Sequence, residues 1–201
     1  MHLDVQWKLL EHRISYRGPE LRPHWVLERT GIYGSALAGF FGPCDVATDK
    51  LVDWEDRLAN DSIRAELMFH VVGEFFGISL DTGVLCQRLY MVWAETLLVR
   101  AGINVRRQGD DLYCLGVPGK AYDVEYKLSV SIATATPVSV LIHWGINVDA
   151  HGAPSTVKAC GLKDFGWDET RILAFAKDLM AHYSEELREI RTAICKVRPV
   201  I

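Results

Sequence analysis

The clearest pattern in the chain is an alternation of apolar and polar residues between positions 124 and 148. Apolar residues occupy every second position from Val124 to Ile132 and again from Val138 to Val148. A period of two is typical of a β-strand with one buried face. We therefore predict two antiparallel strands that form a β-hairpin.

Two more stretches are predicted to be strands. His2 to Tyr16 mixes apolar and charged residues in rough alternation and ends at a Gly-Pro turn. Ser35 to Phe41 is apolar and is followed by a second Gly-Pro pair. Between Asp45 and Asp56 the chain is rich in acidic residues, which predicts a loop or a short strand.

Apolar residues at helical spacing predict three helices, over 61–77, 82–101 and 168–196. Asp61 or Ser62 would cap the first and Asp81 the second. The first two helices should lie on the sheet through their apolar faces. These faces contain Ile63, Leu67, Val71 and Phe75 in the first helix, and Leu85, Leu89, Val92, Leu97 and Leu98 in the second.

Together these elements predict an α+β fold, a mostly antiparallel sheet flanked by helices. The 201 residues fit a single domain spanning 1–201. Because 49% of the residues are hydrophobic and 24% are charged, the composition is that of a globular protein and excludes a disordered chain.

Charge and cysteine content narrow the expected partners and compartment. A net charge of -4 gives no overall positive field, so nucleic acid is not an expected partner. No stretch approaches the ~20 apolar residues of a membrane helix, and the start is charged, unlike a signal peptide. The five cysteines include no Cys-x-x-Cys pair, which predicts free thiols. We expect a cytoplasmic protein.

The less apolar face of the predicted hairpin contains the first candidate site, for a small-molecule ligand. Its polar residues combine an ammonium, hydroxyls, an imidazole and an amide, and they are Lys127, Ser129, Ser131, His143 and Asn147. A lysine ammonium suits a phosphate or a polarised carbonyl, and serine and asparagine can orient a ligand. The alternative is a solvated side of an antiparallel sheet.

A second candidate site is a metal centre on the first predicted helix. Glu66, His70 and Glu74 are four residues apart, which would place them on one helix face. A carboxylate from Asp53, Glu55 or Asp56 could complete the ligand set, so a divalent metal is a candidate cofactor. The alternative is a solvated helix face.

Three weaker candidates remain. Arg106 and Arg107 could form a cationic patch with Lys120 and Lys127 for a phosphate or carboxylate, or could be exposed at a strand edge. His24 follows a proline in a turn, where loop residues often reach a ligand site.

Cys44 is a candidate nucleophile if His70 or His143 acts as its base. The alternative is a small buried thiol.

The central block resembles biotin and lipoate protein ligases, whose fold is shared with class II aminoacyl-tRNA synthetases. The similar segments are RRQGDDLY at 106–113, KLSVS at 127–131 and IHWGINV at 142–148. The resemblance implies that Lys127 holds the acyl carbonyl and α-phosphate of an acyl-adenylate, with Asp111 beside it. ATP is thereby a candidate cofactor.

The sequence departs from the ligase pattern at two places. Val130 stands where the ligases have a glycine that lets the adenylate approach the backbone, and no upstream Arg-Arg-x-Gly-Gly-Gly loop is present. A branched side chain would block such an approach.

Over nearly its full length the chain also resembles the DUF366 family, through segments such as RPHW, FFGPCDV, VDWED and KLSVSIAT.

Three functional hypotheses follow. The first is a small-ligand-binding protein, an acyl or adenylyl transferase related to the ligases, in which Lys127 binds the anion and His143 and Asp111 transfer protons. The second is a non-catalytic ligand- or partner-binding module. The third is a metal-dependent hydrolase that uses His70 and Glu74. An edge strand of the sheet would allow pairing into a homodimer.

Overall fold

The computed structural model describes residues 4–60 and 62–200. The strands within these residues are β1 (Gln6–Leu9), β2 (Ala36–Val46), β3 (Ile63–Phe75), β4 (Val105–Gln108), β5 (Asp111–Cys114), β6 (Tyr126–Lys127), β7 (Ser129–Ala135) and β8 (Val140–Asp149). The helices are α1 (Trp25–Thr30), α2 (Trp54–Leu58), α3 (Leu80–Arg100) and α4 (Glu169–Cys195).

The strands form a five-stranded sheet in the order β1-β2-β3-β8-β7 and a three-stranded sheet in the order β4-β5-β6. All pairs are antiparallel except β1 with β2. The predicted α+β fold with a mostly antiparallel sheet is therefore confirmed.

Helices α3 and α4 cover one face of the large sheet. Trp144 of β8 stacks on Tyr90 of α3 at 4.5 Å between ring centroids and meets Tyr183 of α4 edge-on at 5.7 Å. The Trp144 Nε1 donates to the Gln87 carbonyl oxygen at 3.1 Å, and the Tyr183 hydroxyl donates to the Cys86 carbonyl oxygen at 3.0 Å. These bonds satisfy the polar atoms of large buried aromatic groups.

The N-terminal segment and α1 cover the opposite face. Trp25 of α1 packs on Phe40 of β2 at 5.5 Å, and Phe40 stacks on His70 of β3 at 5.0 Å. Residues near Ile14 cross directly over Gly42, where a Cβ atom would lie only 1.8 Å from the Ile14 carbonyl oxygen. A glycine is required there because two backbone segments make contact.

The predicted helix over 61–77 is wrong, because this segment forms the central strand β3. From Met68 to Phe75 every residue is buried, since the sheet is covered on both faces. An apolar run that is buried on both faces has no period of two, so its periodicity cannot distinguish a strand from a helix. The β-branched and aromatic residues of the run, Phe69, Val71, Val72 and Phe75, are the signal that favours a strand.

The other two predicted helices are confirmed, with a correction to the face of α3. The long helix begins after Ser79 rather than Asp81, and α4 is capped by the Asp168 side chain. Leu85 and Val92 are exposed, contrary to prediction. The residues of α3 that are buried are Gly83, Cys86, Gln87, Tyr90, Met91, Ala94 and Leu98.

The N-terminal predictions are confirmed in part. The strand predicted over 2–16 is limited to β1, with one isolated bridge between Tyr16 and Cys44, and residues 1–3 lie outside the described range. The strand predicted over 35–41 continues through the Gly-Pro pair to Val46. The acidic segment after it contains a 3₁₀ turn at Thr48–Lys50 and the short helix α2.

The predicted hairpin is confirmed, but its first strand is divided between the two sheets. Lys127 belongs to β6 and pairs with Tyr113 of β5, whereas Ser129 begins β7 and pairs with Ile146 of β8. Leu128 lies between them and is fully buried. The chain thus changes sheets at this residue.

The register of the hairpin also corrects the predicted polar face. Ser129 is opposite Ile146 and Ser131 is opposite Trp144, whereas Val130 is opposite Gly145 and Ile132 is opposite His143. Directly opposite residues share a face of a sheet. The two serines therefore lie on the helix side, and His143 lies on the other side with Val130 and Ile132.

Two further observations concern the helices and the thiols. Within residues 4–60 and 62–200, none of the helices has the length and apolar content needed to cross a membrane. All five cysteines are free, four of them buried and Cys195 exposed, as expected.

The crossing at Gly42 can be tested by substitution. Gly42→Ala should lower the free energy of unfolding by at least about 3 kcal/mol, because its Cβ overlaps the Ile14 backbone. For a chain of this size that corresponds to a fall in Tm of roughly 6–12 °C in thermal denaturation.

The matched control is Gly102→Ala. Gly102 has φ +86°, and no other atom lies within 4 Å of the place that an alanine Cβ would occupy, so only backbone strain of about 1–2 kcal/mol is expected. Equal losses in the two variants would contradict the close crossing.

Candidate functional site

A cleft of about 330 Å³ opens beside the edge strand β7, on the side of the sheet away from α3 and α4. Its floor includes Lys127, Asp111 and Val130, and Tyr16 and His143 form one wall. The acidic segment that contains α2 also lines the cleft, through Asp53, Glu55 and Asp56. The volume lies at the lower end of the range for small-molecule sites.

Asp110 and the first two residues of β5 hold the strand that changes sheets. The Leu128 amide donates to the Leu112 carbonyl oxygen at 2.8 Å, and the Leu112 amide donates to the Ser129 hydroxyl at 2.8 Å. The Ser131 hydroxyl donates to the Asp110 carbonyl oxygen at 3.0 Å. This segment, Asp110–Leu112, therefore fixes the position of Lys127 relative to β7.

Lys127 and Asp111 form an ion pair on the cleft floor. The Lys127 Nζ lies 2.8 Å from Asp111 Oδ2, and the Lys127 side chain is 29% exposed. Burial raises the pKa of the Asp111 carboxyl, although the Lys127 charge acts in the opposite direction. Burial would lower the pKa of Lys127, but the charge and hydrogen bond of Asp111 outweigh it and leave this pKa raised. The raised pKa keeps the Lys127 ammonium charged near neutral pH.

The two predicted serine ligands already have protein partners. Ser129 is fully buried, and its hydroxyl oxygen accepts a hydrogen bond from the Leu112 amide. The Ser131 hydroxyl accepts from Gln87 Nε2 of α3 at 2.8 Å, and the same nitrogen donates to Asp110 Oδ2 at 3.0 Å. These hydroxyls connect α3, β5 and β7.

Asn147 lies at the same end of the cleft as Lys127. Its Nδ2 donates to the Cys160 carbonyl oxygen at 3.0 Å and, more weakly, to the Lys127 carbonyl oxygen at 3.4 Å. The Asn147 side chain thus fixes the backbone of β6, and Asn147 also lines the cleft.

His143 forms the other end of the cleft and is linked to a second buried histidine. His143 Nε2 lies 3.0 Å from His70 Nδ1, and His70 Nε2 lies 3.2 Å from the Gly42 carbonyl oxygen. Tyr16 stacks on the His143 ring at 3.7 Å with an interplanar angle of 6°.

Both imidazoles are neutral near pH 7. Burial lowers the pKa of His70 to about 3, although its bond to Gly42 acts in the opposite direction. Burial, and then the neighbouring His70, lower the pKa of His143 well below its ordinary value. His143 can accept a proton or a hydrogen bond but does not supply a positive charge.

Of the predicted cationic patch, Lys127 lines the cleft, whereas Arg106, Arg107 and Lys120 do not. Arg106 forms an exposed ion pair with Glu125, with Nη2 to Oε2 at 2.6 Å. The Arg107 amide donates to Glu95 and its guanidinium to the Gly109 carbonyl oxygen. The Lys120 Nζ lies 3.2 Å from Asp164 Oδ2. Lys120 and Asp164 are both outside the cleft lining.

His24 lies at the other end of the sheet from the cleft. Its amide donates to both carboxylate oxygens of Glu74, at 2.9 and 3.0 Å, and Glu74 also accepts from the Ser139 hydroxyl at 2.7 Å. His24 has φ 65°, a left-handed conformation that this buried carboxylate holds in place.

The three predicted metal ligands do not converge. In a strand, residues four apart are roughly 13 Å apart, so Glu66, His70 and Glu74 cannot bind one ion. Glu66 instead lies near Asp149 and His151 at the surface, with their ligand atoms within 4.8 Å of one another.

Cys44 does not have the properties of a nucleophile. Burial raises the pKa of its thiol to about 12, so the reactive thiolate is not formed near neutral pH.

Several residues that line the cleft were not among the predicted ligands, including Tyr16, Asp110 and Val130. The sequence pattern places Tyr16 only at the end of a strand and Asp110 only in a turn, and it places Val130 in the sheet core. For Val130 the missing information is the hairpin register, which sets it on the same face as His143. For Tyr16 and Asp110 the local sequence carries no signal of the long-range contacts that bring them to the cleft.

Comparisons with known proteins identify the family. The family model described as "Domain of unknown function (DUF366)" matches residues 5–198. The chain belongs to the DUF366 family. A similar sequence, an uncharacterised protein of Methanocaldococcus jannaschii, is 31% identical to this DUF366 protein over 197 residues, which cover 96% of this chain and 84% of the relative.

Solved structures agree with the fold of this DUF366 protein. A protein of unknown function from Pyrococcus horikoshi is 36% identical, with a TM-score of 0.85 over 97% of this chain and 100% of that chain. Biotin protein ligase from Aquifex aeolicus, in complex with biotin and ATP, has a TM-score of 0.52 at 14% identity, over 92% of this chain and 72% of that one.

A bipartite lipoate protein ligase from Thermoplasma acidophilum has a TM-score of 0.53 at 13% identity, over 92% of this DUF366 chain and 84% of that one. At such identities the likeness establishes the fold alone. The predicted similarity to biotin and lipoate ligases in fold is confirmed.

The ion pair on the cleft floor predicts a pH-dependent loss of stability. Lys127→Met should lower the free energy of unfolding at about pH 7 by about 1–3 kcal/mol, because the Asp111 carboxylate loses its counter-ion. The pKa of Asp111, already raised by burial, should rise further. A raised folded-state pKa gives stability at low pH that is lost as the pH rises, so the deficit should shrink toward about pH 4.

Denaturant unfolding of the variant at both pH values measures this deficit. The double variant Lys127→Met/Asp111→Asn is the control, and its deficit should not depend on pH. A single-variant deficit of equal size at both pH values would contradict the coupling.

The histidine pair predicts acid sensitivity of the fold. A depressed folded-state pKa gives stability above the unfolded value of 6.5 that is lost as the pH falls toward about 3. His70→Gln removes one such group and keeps an amide donor for Gly42. Between pH 6.5 and about 5, its unfolding free energy should fall less steeply than that of wild type, by up to about 1.4 kcal/mol per pH unit.

Chemical denaturation across this pH range gives the two slopes. His12→Gln, at an exposed position, should keep the wild-type slope. Identical slopes in wild type and His70→Gln would show that His70 titrates normally in the folded protein.

Proposed function

We propose that this DUF366 protein binds a small molecule through a carboxylate or phosphate group, with the Lys127 ammonium as the anchor. Acyl or adenylyl transfer is the reaction class that such a site would serve. One observation carries the proposal: a lysine ammonium lies on the floor of a cleft of ligand size, shielded but not sealed.

Lys127 retains hydrogen-bonding capacity for a ligand. An ammonium has three N–H donors. In the described part of the chain, Asp111 is its ion-pair partner. Donors therefore remain for an anion, and partial burial strengthens the attraction compared with a fully solvated lysine.

The charge of the cleft limits the kind of anion. Asp53, Glu55 and Asp56 line the cleft together with Lys127, and Asp110 and Asp111 add acidic groups to the lining. This surrounding negative charge disfavours a free polyphosphate. A monoanionic carboxylate fits best, and a nucleotide would need a divalent cation to offset its charge.

The fold comparisons support an acyl ligand. Two proteins with this fold are described with biotin and ATP, or with lipoic acid, and both acids carry a carboxylate on an alkyl chain. In the sequence resemblance to these ligases, Lys127 takes the place of the lysine that holds the acyl carbonyl and phosphate. The site therefore suits a related acid.

A second candidate is ligand binding without turnover, and Val130 favours it. Val130 lines the cleft, and its Cγ2 would lie 3.1 Å from a Cβ placed on Gly145. The branched side chain thus occupies the backbone approach that a glycine leaves open in the ligases. Because this side chain occupies that approach, we derive no adenylation step.

The third hypothesis, a metal-dependent hydrolase, loses its basis because its ligands are spread along β3.

Thermal-shift and calorimetric binding measurements test the proposal. Octanoate, biotin, lipoate, and ATP with and without Mg²⁺ serve as probes for wild type, Lys127→Met and Lys120→Met. At about 100 times its Kd, a bound probe should stabilise wild type by about 2.7 kcal/mol. Lys127→Met should lose this stabilisation, because the anchoring cation is gone.

Lys120 is the matched control, because it is also a half-buried, ion-paired lysine but lies outside the cleft. Lys120→Met should keep the wild-type response. Equal responses of the two lysine variants, or none from wild type, would contradict the proposal. Pyrophosphate release from ATP with a bound acid would identify a transferase, and binding without release would favour the second candidate.

A further inference from the structure

The end of the cleft away from Lys127 contains a histidine whose hydrogen-bonding pattern can be deduced. His143 is only 3% exposed, and its ring is held by the stacked Tyr16 ring and by the bond to His70. Its Nδ1 makes no hydrogen bond within the described part of the chain, and it is not one of the enclosed polar atoms that lack a partner. Because His143 lines the cleft, Nδ1 is the ring nitrogen left for a ligand.

The protonation of this nitrogen follows from a chain of bonds that begins at Gly42. A carbonyl oxygen only accepts, so His70 Nε2 must carry the proton in its bond to Gly42. A neutral imidazole has one N–H, so His70 Nδ1 is a lone-pair acceptor. His143 Nε2 must then donate to it, which leaves His143 Nδ1 without a proton. Burial of both rings opposes a positive charge on either.

We propose that His143 Nδ1 accepts a hydrogen bond from an N–H or O–H group of the ligand, and that His70 is the positioning residue that fixes this tautomer. The inference rests on the proposed function, because it concerns the same cleft. It narrows the ligand class to an acid that also carries a donor such as an amide, ureido or hydroxyl group.

The two ends of the site set the spacing of these groups. Asn147 bonds to the Lys127 carbonyl, and His143 is four residues further back along β8. Four residues of strand span roughly 13 Å, so the anion and the donor should be on the order of 10 Å apart. An elongated ligand with its charge at one end and its donor at the other meets this requirement.

The tautomer itself can be measured by nitrogen NMR of histidine-labelled protein. In wild type, His70 and His143 should each show a protonated Nε2 and a bare Nδ1. His70→Gln should keep the His143 pattern, because the glutamine amide can donate to Gly42 and accept from His143. In His70→Leu nothing accepts from His143 Nε2, so the proton should no longer be fixed on that nitrogen. A protonated Nδ1 on His143 in wild type near pH 7 overturns the inference.

Ligand selectivity is measured with two matched probes. Ureidohexanoate has N–H donors at the end remote from its carboxylate, and its ketone isostere has methyl and methylene groups in place of the two nitrogens. Wild type should bind the ureido acid at least about tenfold more tightly, as expected for one buried hydrogen bond. His143→Phe should bring the ratio close to one, and His70→Gln should keep it.

The outcomes separate this inference from the proposed function. Equal, Lys127-dependent binding of both probes overturns the donor requirement alone. Failure of both probes to bind in a Lys127-dependent way contradicts the proposed function, and this inference with it. If His143→Phe keeps the wild-type ratio of affinities for the two probes, another group is responsible for the preference, and the inference is overturned.

Discussion

The site depends on the change of sheets at Leu128. One residue before it, Lys127 pairs with β5 in the small sheet, and one residue after it, Ser129 pairs with β8 in the large sheet. Leu128 itself bonds to both, through its amide to Leu112 and through its carbonyl to the Asn147 amide. A cation placed at such a junction is held by two sheets at once, so its ion pair with Asp111 has a fixed position.

The large sheet is covered on both faces, and this burial explains why the histidines at the His143 end of the cleft are neutral. The N-terminal segment lies over β2 and β3 and brings Tyr16 onto His143, while Gly42 accepts from His70. The same burial that encloses β3 from Met68 to Phe75 keeps both imidazoles neutral. The cleft therefore has a charged floor and an uncharged, hydrogen-bonding wall.

The sequence was sufficient to predict the fold class, the hairpin, the two long helices, and the placement of Lys127 and Asp111 as neighbours. It could not identify β3, because burial on both faces removes the alternation that marks a strand. It also could not set the hairpin register, since a shift of one residue exchanges the two faces. The register places Val130 on the face of His143, and Ser129 and Ser131, which also line the cleft, bond to the protein scaffold.

The central claim is that Lys127 is a shielded, Asp111-paired cation at the cleft floor. Nitrogen-detected NMR of the Lys127 ammonium tests it most directly. The ammonium should exchange slowly with water and have a pKa above the ordinary 10.5, and Asp111→Asn should remove both properties. An ammonium that exchanges as fast as a surface lysine, with an ordinary pKa unaffected by Asp111→Asn, would contradict the claim.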